Sequence, residues 1–228
     1  MRSNSKNNIV IIGDGEFADI AFDYFTNDSK YNVVAFAVEK KFFTKKIFNN
    51  KPVCFLEDIE SLYPKDKYMI FVAISSTKLN RIRRRIYLSL KDIGYSFVSY
   101  LSSHAFKSNS AVIGENTFIF ENNVIQNNVL IGNNCIIWSG NHIGHRSEIK
   151  NHVFISSHAV ISGYCTIEDS CFIGVNSTIA DNITVKTDCI IGAGAIILKN
   201  TERNSIYPSS STKPSMVKSL KFHKLMDD

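Results

Sequence analysis

Residues 137–155 read Ile137-Trp138-Ser139-Gly140-Asn141-His142-Ile143-Gly144-His145-Arg146-Ser147-Glu148-Ile149-Lys150-Asn151-His152-Val153-Phe154-Ile155, with isoleucine at every sixth position. The beat extends both ways, through Ile113, Ile119, Ile125 and Ile131 before it and Ile161, Ile167, Ile173, Ile179, Val185, Ile191 and Ile197 after it. A period of six fits neither the 3.6 of a helix nor the 2 of a strand. It fits a solenoid that turns a corner every six residues, three sides making one 18-residue coil. Residues 111–200 then encode five coils. At the usual strand spacing these form a three-sided prism roughly 24 Å tall.

Each column of the repeat has its own chemistry. The isoleucines must point inward to fill a narrow triangular core. Four residues on runs a second column, mostly of small residues, from Thr117, Asn123, Val129 and Cys135 through Asn141, Ser147, Val153, Ala159, Cys165 and Cys171 to Ala195. It reads as the other inward position, beside a corner with little room. Three residues after each isoleucine stand Asn116, Asn122, Asn128, Asn134, Gly140, Asn176, Asn182, Asp188, Gly194 and Asn200. Asn, Asp and Gly tolerate positive φ, so this column marks the corners. Arg146, Tyr164 and Ser170 break it, the first two on successive coils directly after His145 and Gly163. Local rules tend to fail at functional sites.

At 228 residues, 44% hydrophobic and a net charge of +5, the chain can bury a core and is only mildly basic. No signal peptide and no apolar run of bilayer length stands out, so a cytoplasmic protein without membrane insertion is expected. Cys135, Cys165, Cys171 and Cys189 fall in the small inward column and read as core filler rather than metal ligands, and no metal is called for. Cys171 and Cys189 stack within disulfide range, but the expected compartment is reducing. The basic cluster Lys78, Arg81, Arg83, Arg84 and Arg85 reads as a solvated helix face, not a nucleic-acid site.

Before the repeat, residues 1–100 alternate apolar runs (9–12, 33–38, 52–55, 69–74) with helical stretches (16 to about 25, 57–62, 78–93), the pattern of a small parallel α/β unit. Gly13-Asp14-Gly15-Glu16-Phe17-Ala18 joins the first strand to the first helix. Its glycines serve a tight turn, or they let backbone N–H groups and the helix dipole face a phosphate. Glu39, after the second strand, mimics the ribose contact of a nicotinamide site. About 100 residues hold only one mononucleotide half and part of another, which argues against a dehydrogenase.

The repeat resembles the left-handed β-helix of the hexapeptide-repeat acyltransferases. With the Gly13–Ala18 turn and the Asn141–His145 segment, nearly the whole chain resembles the bacterial nucleotide-sugar acetyltransferases of the sialic acid O-acetyltransferase type. These include the N-acetyltransferases that finish UDP-bacillosamine and related amino sugars. The resemblance implies a Rossmann-like nucleotide-sugar domain over residues 1–100, a left-handed β-helix over 101–200 that holds acetyl-CoA, and a tail over 201–228. It implies that Gly13, Asp14, Gly15, Glu16, Phe17, Glu39 and Ser75 hold the nucleotide-sugar. His145 becomes the general base, as an imidazole titrating near neutrality suits deprotonation of an attacking amine or hydroxyl. The Gly163 amide, one coil above, becomes the oxyanion donor. Many relatives follow this histidine with an acidic residue that orients it; here Arg146 cannot, leaving Asn141 or Glu148 as candidates.

Outward positions on one side, Phe118, Ile136, Phe154, Phe172 and Ile190, form an apolar stripe. Such a stripe demands a cover, and by resemblance the cover is a neighbouring prism, in a homotrimer with intersubunit active sites. Two residues further on, bulk falls away from Phe120 and Trp138 to Ser156, Gly174 and Gly192. That column leaves room for a pantetheine arm or reflects tight packing. Trp138, Ser162, Gly163, Gly174, Gly192 and Ala193 are the acetyl-CoA candidates, with Lys213 in the tail for the adenosine end. Met216, Val217, Leu220 and Leu225 place one face of a short tail helix on the body. The expected activity is acetyl-CoA-dependent N-acetylation of a UDP- or dTDP-linked amino-deoxy sugar for a surface glycan (O-antigen, capsule or glycoprotein). The alternatives are O-acetylation on the same fold and a non-catalytic trimeric scaffold or sensor.

Overall fold

The computed structural model describes residues 7–223 and Leu225. Its first part is a five-stranded sheet: β1 (Asn8–Ile12), β2 (Asn32–Val38), β3 (Ile47–Phe48), β4 (Lys51–Phe55) and β5 (Met69–Val72), in the order β3-β4-β2-β1-β5. All neighbours are parallel except the β3–β4 hairpin, which the sequence reading did not anticipate. Helix α1 (Glu16–Asn27) covers one face of the sheet, meeting Ile9, Ile11, Phe36 and Phe71. Helices α2 (Ile59–Leu62) and α3 (Arg81–Ile93) cover the other, meeting Val10, Ile12, Ala35 and Ile70. Burial on both faces is why β1 is a continuous apolar run rather than an alternating one.

From Tyr100 to Tyr207 the chain winds as a left-handed β-helix with three faces of two-residue strands. The first face stacks Phe118, Ile136, Phe154, Phe172 and Ile190, each followed by its inward isoleucine, and Tyr100 and Ile206 extend it beyond the repeat at either end. The second face runs from Phe106 through Val124, His142, Val160 and Thr178 to Ile196. The third runs from Val112 through Leu130, Glu148 and Thr166 to Thr184. Every residue of the inward column from Ile119 to Ile197 is buried, and the corner column from Asn116 to Gly194 adopts positive φ throughout, Arg146, Tyr164 and Ser170 included.

The small inward column has a further logic. Thr117 Oγ1 donates to the Gly132 carbonyl at 2.9 Å, Cys135 Sγ to Lys150 at 3.1 Å, Ser147 Oγ to Ser162 at 2.8 Å and Cys171 Sγ to Lys186 at 3.1 Å. Each donor reaches the carbonyl fifteen residues on, so Thr, Ser and Cys are there to satisfy the next coil as well as to be small. All five cysteines are free thiols, and burial pushes Cys135 up to about 11 and Cys171 up to about 12.

Three expectations are corrected here. The apolar stripe on the first face is covered by this chain's own first domain, not by another prism. Phe118, Ile136 and Phe154 are 0, 1 and 8% exposed, packed in one cluster with Phe17, Phe25 and Phe71. At roughly 2 kcal/mol for each large apolar side chain buried, this contact fuses the two parts. Second, the basic cluster is only partly a solvated face: Lys78 and Arg85 are exposed and Arg81 and Arg84 half-buried. Arg83 is fully buried where α3 crosses the edge between the third and first faces. Its guanidinium donates to the carbonyls of Asn134 (3.2 Å), Ile74 (3.2 Å), Ser75 (2.7 Å), His152 (3.4 Å) and Val153 (3.4 Å). Desolvation lowers its pKa to about 10, which still leaves the charge in place at neutral pH. Arg81 pairs with Asp188 and Arg85 with Glu39. Within the run, Arg83 satisfies backbone carbonyls at a domain junction, a use that charge counting does not reveal. Third, the tail forms a single turn, α4 (Ser219–Phe222), and Met216, Val217, Leu220 and Leu225 stay exposed instead of lying on the body.

Candidate active site

Two constellations stand on different edges of the prism. At the carboxyl end of the parallel sheet, where α1 begins, opens a cavity of about 610 Å³. Gly13, Asp14, Gly15, Glu16, Phe17, Glu39 and Ser75 all line it, as does Trp138 from the β-helix. Gly13 has φ +118°, and a β-carbon there would stand 2.8 Å from the Ala73 carbonyl oxygen, so the turn requires glycine. At Gly15 no atom lies within 4 Å of where a β-carbon would sit, leaving the turn open. Helix α1 has no side-chain cap, so its first amides are available to an anion.

Charges flank this opening. Lys45 Nζ donates to the Asp14 carbonyl at 2.9 Å and lies 3.6 Å from the Asp14 carboxylate. Sequence reading missed Lys45 because it stands in the loop that leads into the unanticipated hairpin, remote from any motif. The Arg85 guanidinium, 2.8 Å from Glu39, holds that carboxyl below the usual range. Trp138 stacks on Phe120 with centroids 4.4 Å apart, and its buried Nε1 has no partner among the described residues. It belongs to this cavity rather than to a separate coenzyme groove.

His145 stands at the edge between the second and third faces. Its backbone N–H donates to Gln126 Oε1 at 2.8 Å, and the same oxygen lies 3.2 Å from ring Nδ1. Tyr164 meets the imidazole edge-on, centroids 5.2 Å apart. The ring lies over Gly163: a β-carbon on that residue would stand 2.7 Å from Cε1 and 2.9 Å from Nε2. Gly144 is equally constrained, 2.6 Å from the Gly163 nitrogen by the same construction. Gly163 thus makes the bed in which the imidazole lies, and Gly144 lets the Ser162–Gly163 backbone approach from the next coil.

The remaining candidates separate. Asn141 is buried in the inward column, where its Oδ1 accepts the Ala159 N–H at 2.7 Å, so it does not reach His145. Glu148 pairs with Lys150 on the third face. Neither has a hydrogen bond to the ring; the side chain at Nδ1 is Gln126, from the coil before, a spacing at which no sequence motif would have been sought. The Gly163 N–H donates to Asp181 Oδ1 at 3.0 Å, so the expected oxyanion donor already has an acceptor. Gly174 and Gly192 are glycine because the next turn of backbone is too close for a side chain, with β-carbons there falling 2.6 Å from Ile191 O and 2.7 Å from Ser209 N. Tight packing accounts for that column. Ala193 and Lys213 are exposed, and Ser162, half-buried, accepts from Ser147. His142 sits half-buried on the second face, His152 is buried against Asn134, and the His158 ring covers Gly140.

Two family models divide this architecture at the same junction. Residues 8–90 match the PglD N-terminal domain, and residues 110–145 and 164–199 match the bacterial transferase hexapeptide of six repeats. The β-helix carries the bacterial transferase hexapeptide repeat. Among solved structures it is similar to the acetyltransferase domain of PglB from Neisseria gonorrhoeae in complex with acetyl coenzyme A, at TM-score 0.80 and 23% identity over 92% of this chain and 99% of that one. It is similar to a mutant of perosamine N-acetyltransferase from Caulobacter crescentus bound to CoA and GDP-perosamine, at TM-score 0.81 and 21% identity over 89 and 93% of the two chains. WeeI from Acinetobacter baumannii gives TM-score 0.73 and 21% identity over 87 and 94%. No curated protein matches by sequence. Among the described residues no helix is long and apolar enough to cross a membrane.

Proposed function

We propose that this protein is an acetyl-CoA-dependent N-acetyltransferase acting on a nucleotide-linked amino-deoxy sugar destined for a surface glycan. The observation that carries the reading is a braced imidazole bedded on Gly163, in a chain whose own first domain offers a nucleotide-sized cavity at a glycine turn and an uncapped helix start. The sugar nitrogen attacks the thioester carbonyl carbon, forming C–N while C–S breaks. Nε2 of His145 takes the proton from nitrogen and returns it to the departing thiolate, so that N-acetyl sugar and free coenzyme A leave. The Gly163 N–H serves the developing oxyanion once the Asp181 carboxylate has moved off it. The Gly13–Phe17 turn and Lys45 suit the diphosphate. The five unpaired cysteines fit work in a reducing cytoplasm.

The reading requires two chains at each site. The cavity lies over the first face, with Trp138 near the edge between first and second faces, whereas His145 occupies the edge between second and third. The second face separates them, and it leaves Phe106, Val124, Val160 and Ile196 exposed, with Leu198 just past its end. We infer a homotrimer in which this face is covered, bringing one chain's cavity to the next chain's His145.

The test is thiol release from acetyl-CoA against UDP-, dTDP- and GDP-linked 3-amino- and 4-amino-deoxy sugars. One sugar is expected to turn over, with about 10²–10⁴-fold loss of rate in His145→Ala. Coenzyme binding without turnover on any amino sugar, but with turnover on a sugar hydroxyl, would replace this reading by O-acetylation. Absence of coenzyme binding would leave a scaffold.

A further inference from the structure

We propose that Gln126 is the positioning residue of His145, and that it fixes the imidazole as the Nδ1–H tautomer with the lone pair on Nε2. The argument needs only hydrogen-bond polarity. A backbone N–H can only donate, so the Gln126 atom 2.8 Å from the His145 nitrogen is the amide oxygen, not the NH₂. An amide oxygen can only accept, so ring Nδ1, 3.2 Å away, must carry the proton. Nε2 is then the basic nitrogen, and it has no hydrogen-bond partner among the described residues.

Why a glutamine stands there follows from the repeat. On the edge between third and first faces, the equivalent N–H groups are claimed by the side chain one coil ahead. Glu115 N donates to Asn133 Oδ1, Asn133 N to Asn151 Oδ1 and Asn151 N to Asp169 Oδ1, at 2.9, 2.9 and 2.8 Å. For His145 the residue one coil ahead is Gly163, which has no side chain and must have none, since the ring occupies that space. The N–H is therefore left over, and Gln126 reaches forward from the previous coil to take it together with Nδ1. Making room for the ring and needing Gln126 are one event.

The brace carries no charge. A carboxylate at this point would stabilise the imidazolium; an amide orients the ring without doing so. The charged and titratable groups around it are Arg146 next in sequence, the Tyr164 ring, and Asp181, whose carboxylate is engaged by the Gly163 N–H.

The proposal rests on the catalytic reading of His145, and its primary readout is independent of turnover. In ¹⁵N-labelled protein, with His145 assigned by comparison with His145→Ala, the neutral ring is expected to show protonated Nδ1 and unprotonated Nε2. In Gln126→Leu this preference should be lost, and kcat should fall at least about 10-fold with KM for acetyl-CoA changed less than about 2-fold. Gln126→Glu should keep the tautomer and move the acidic limb of the rate profile up by roughly one pH unit. A protonated Nε2 in the native protein, or Gln126→Leu with tautomer and kcat unchanged, overturns the proposal. The expected tautomer and its loss in Gln126→Leu, in a protein that acetylates no sugar, would support the positioning role and sink the acetyltransfer reading instead.

Discussion

Two edges of the same prism share one backbone and differ in what their side chains do. Along the edge between third and first faces, Asn133, Asn151 and Asp169 pass hydrogen bonds from coil to coil, and Asn116, Asn134 and His152 form a second line beneath α3, Asn116 Oδ1 accepting the Val72 N–H at 2.7 Å. That edge is closed, roofed by α3 and held by Arg83. Along the edge between second and third faces the line is interrupted at Gly163, a histidine ring fills the gap, and neither α1 nor α3 covers it. The difference teaches that the repeat supplies rigidity everywhere, and that chemistry becomes possible where one side chain is withheld.

The comparison can be broken at the closed edge first, where the largest effect is expected. Arg83→Ala removes the donor that five carbonyls share, of which Val153 keeps the Ile136 N–H, and should cost about 3–5 kcal/mol, measured by denaturant unfolding. Arg83→Lys should recover little, because an ammonium has three donors and no planar fork. Full stability in Arg83→Ala would mean that the apolar junction alone holds the domains.

At the open edge, Gly163→Ala should leave the fold intact while cutting acetyl transfer by about 100-fold, because the new methyl displaces the imidazole from its bed. Unfolding midpoint and kcat, measured on the same preparation, separate the two effects. Wild-type kcat in this variant would dismiss the bed.

A pH effect sharpens the closed edge further. Burial is the main cause that lowers His152 from 6.5 to about 4, so the folded protein keeps this ring neutral. Between those values the unfolded chain binds more protons, and stability therefore rises with pH across that window and falls on acidification through it. His152→Asn, which suits the corner's positive φ, should flatten this part of the thermal-midpoint profile. An unchanged slope would assign the acid sensitivity elsewhere. The smallest effect belongs to Arg146, held at φ 57° in a column where Asn is the usual residue. Arg146→Asn should stabilise by about 0.5–1 kcal/mol, read from the shift in denaturant midpoint.

The solenoid was legible because each inward isoleucine and each corner asparagine repeats one local rule many times, so single violations did not hide it. The strands and helices of the first domain followed from apolar runs and the glycine turn. What escaped depends on contacts that no local pattern encodes. The stripe of Phe118, Ile136 and Phe154 announced that something covers it, but which partner does so is decided by how α1 folds back from a hundred residues away. Arg83 reads like any surface arginine, since a guanidinium that serves carbonyls has no charged partner to reveal it. The candidate base was found from His145 and its neighbours, whereas Gln126 was not, because searching for an acidic residue next in sequence looks in the wrong coil.

The junction between the two halves has a practical corollary. Sequence divides the molecule into a nucleotide-fold module and a repeat module, which invites exchange or separate expression of the two. Yet removing residues before Tyr100 would bare Phe118, Ile136 and Phe154 together with the Arg83-served carbonyls of Asn134, His152 and Val153. The isolated prism would present a flat aromatic wall to solvent and self-associate through it. Successful grafts onto this scaffold will have to carry α1 and α3 along with the cavity, as one inherited unit.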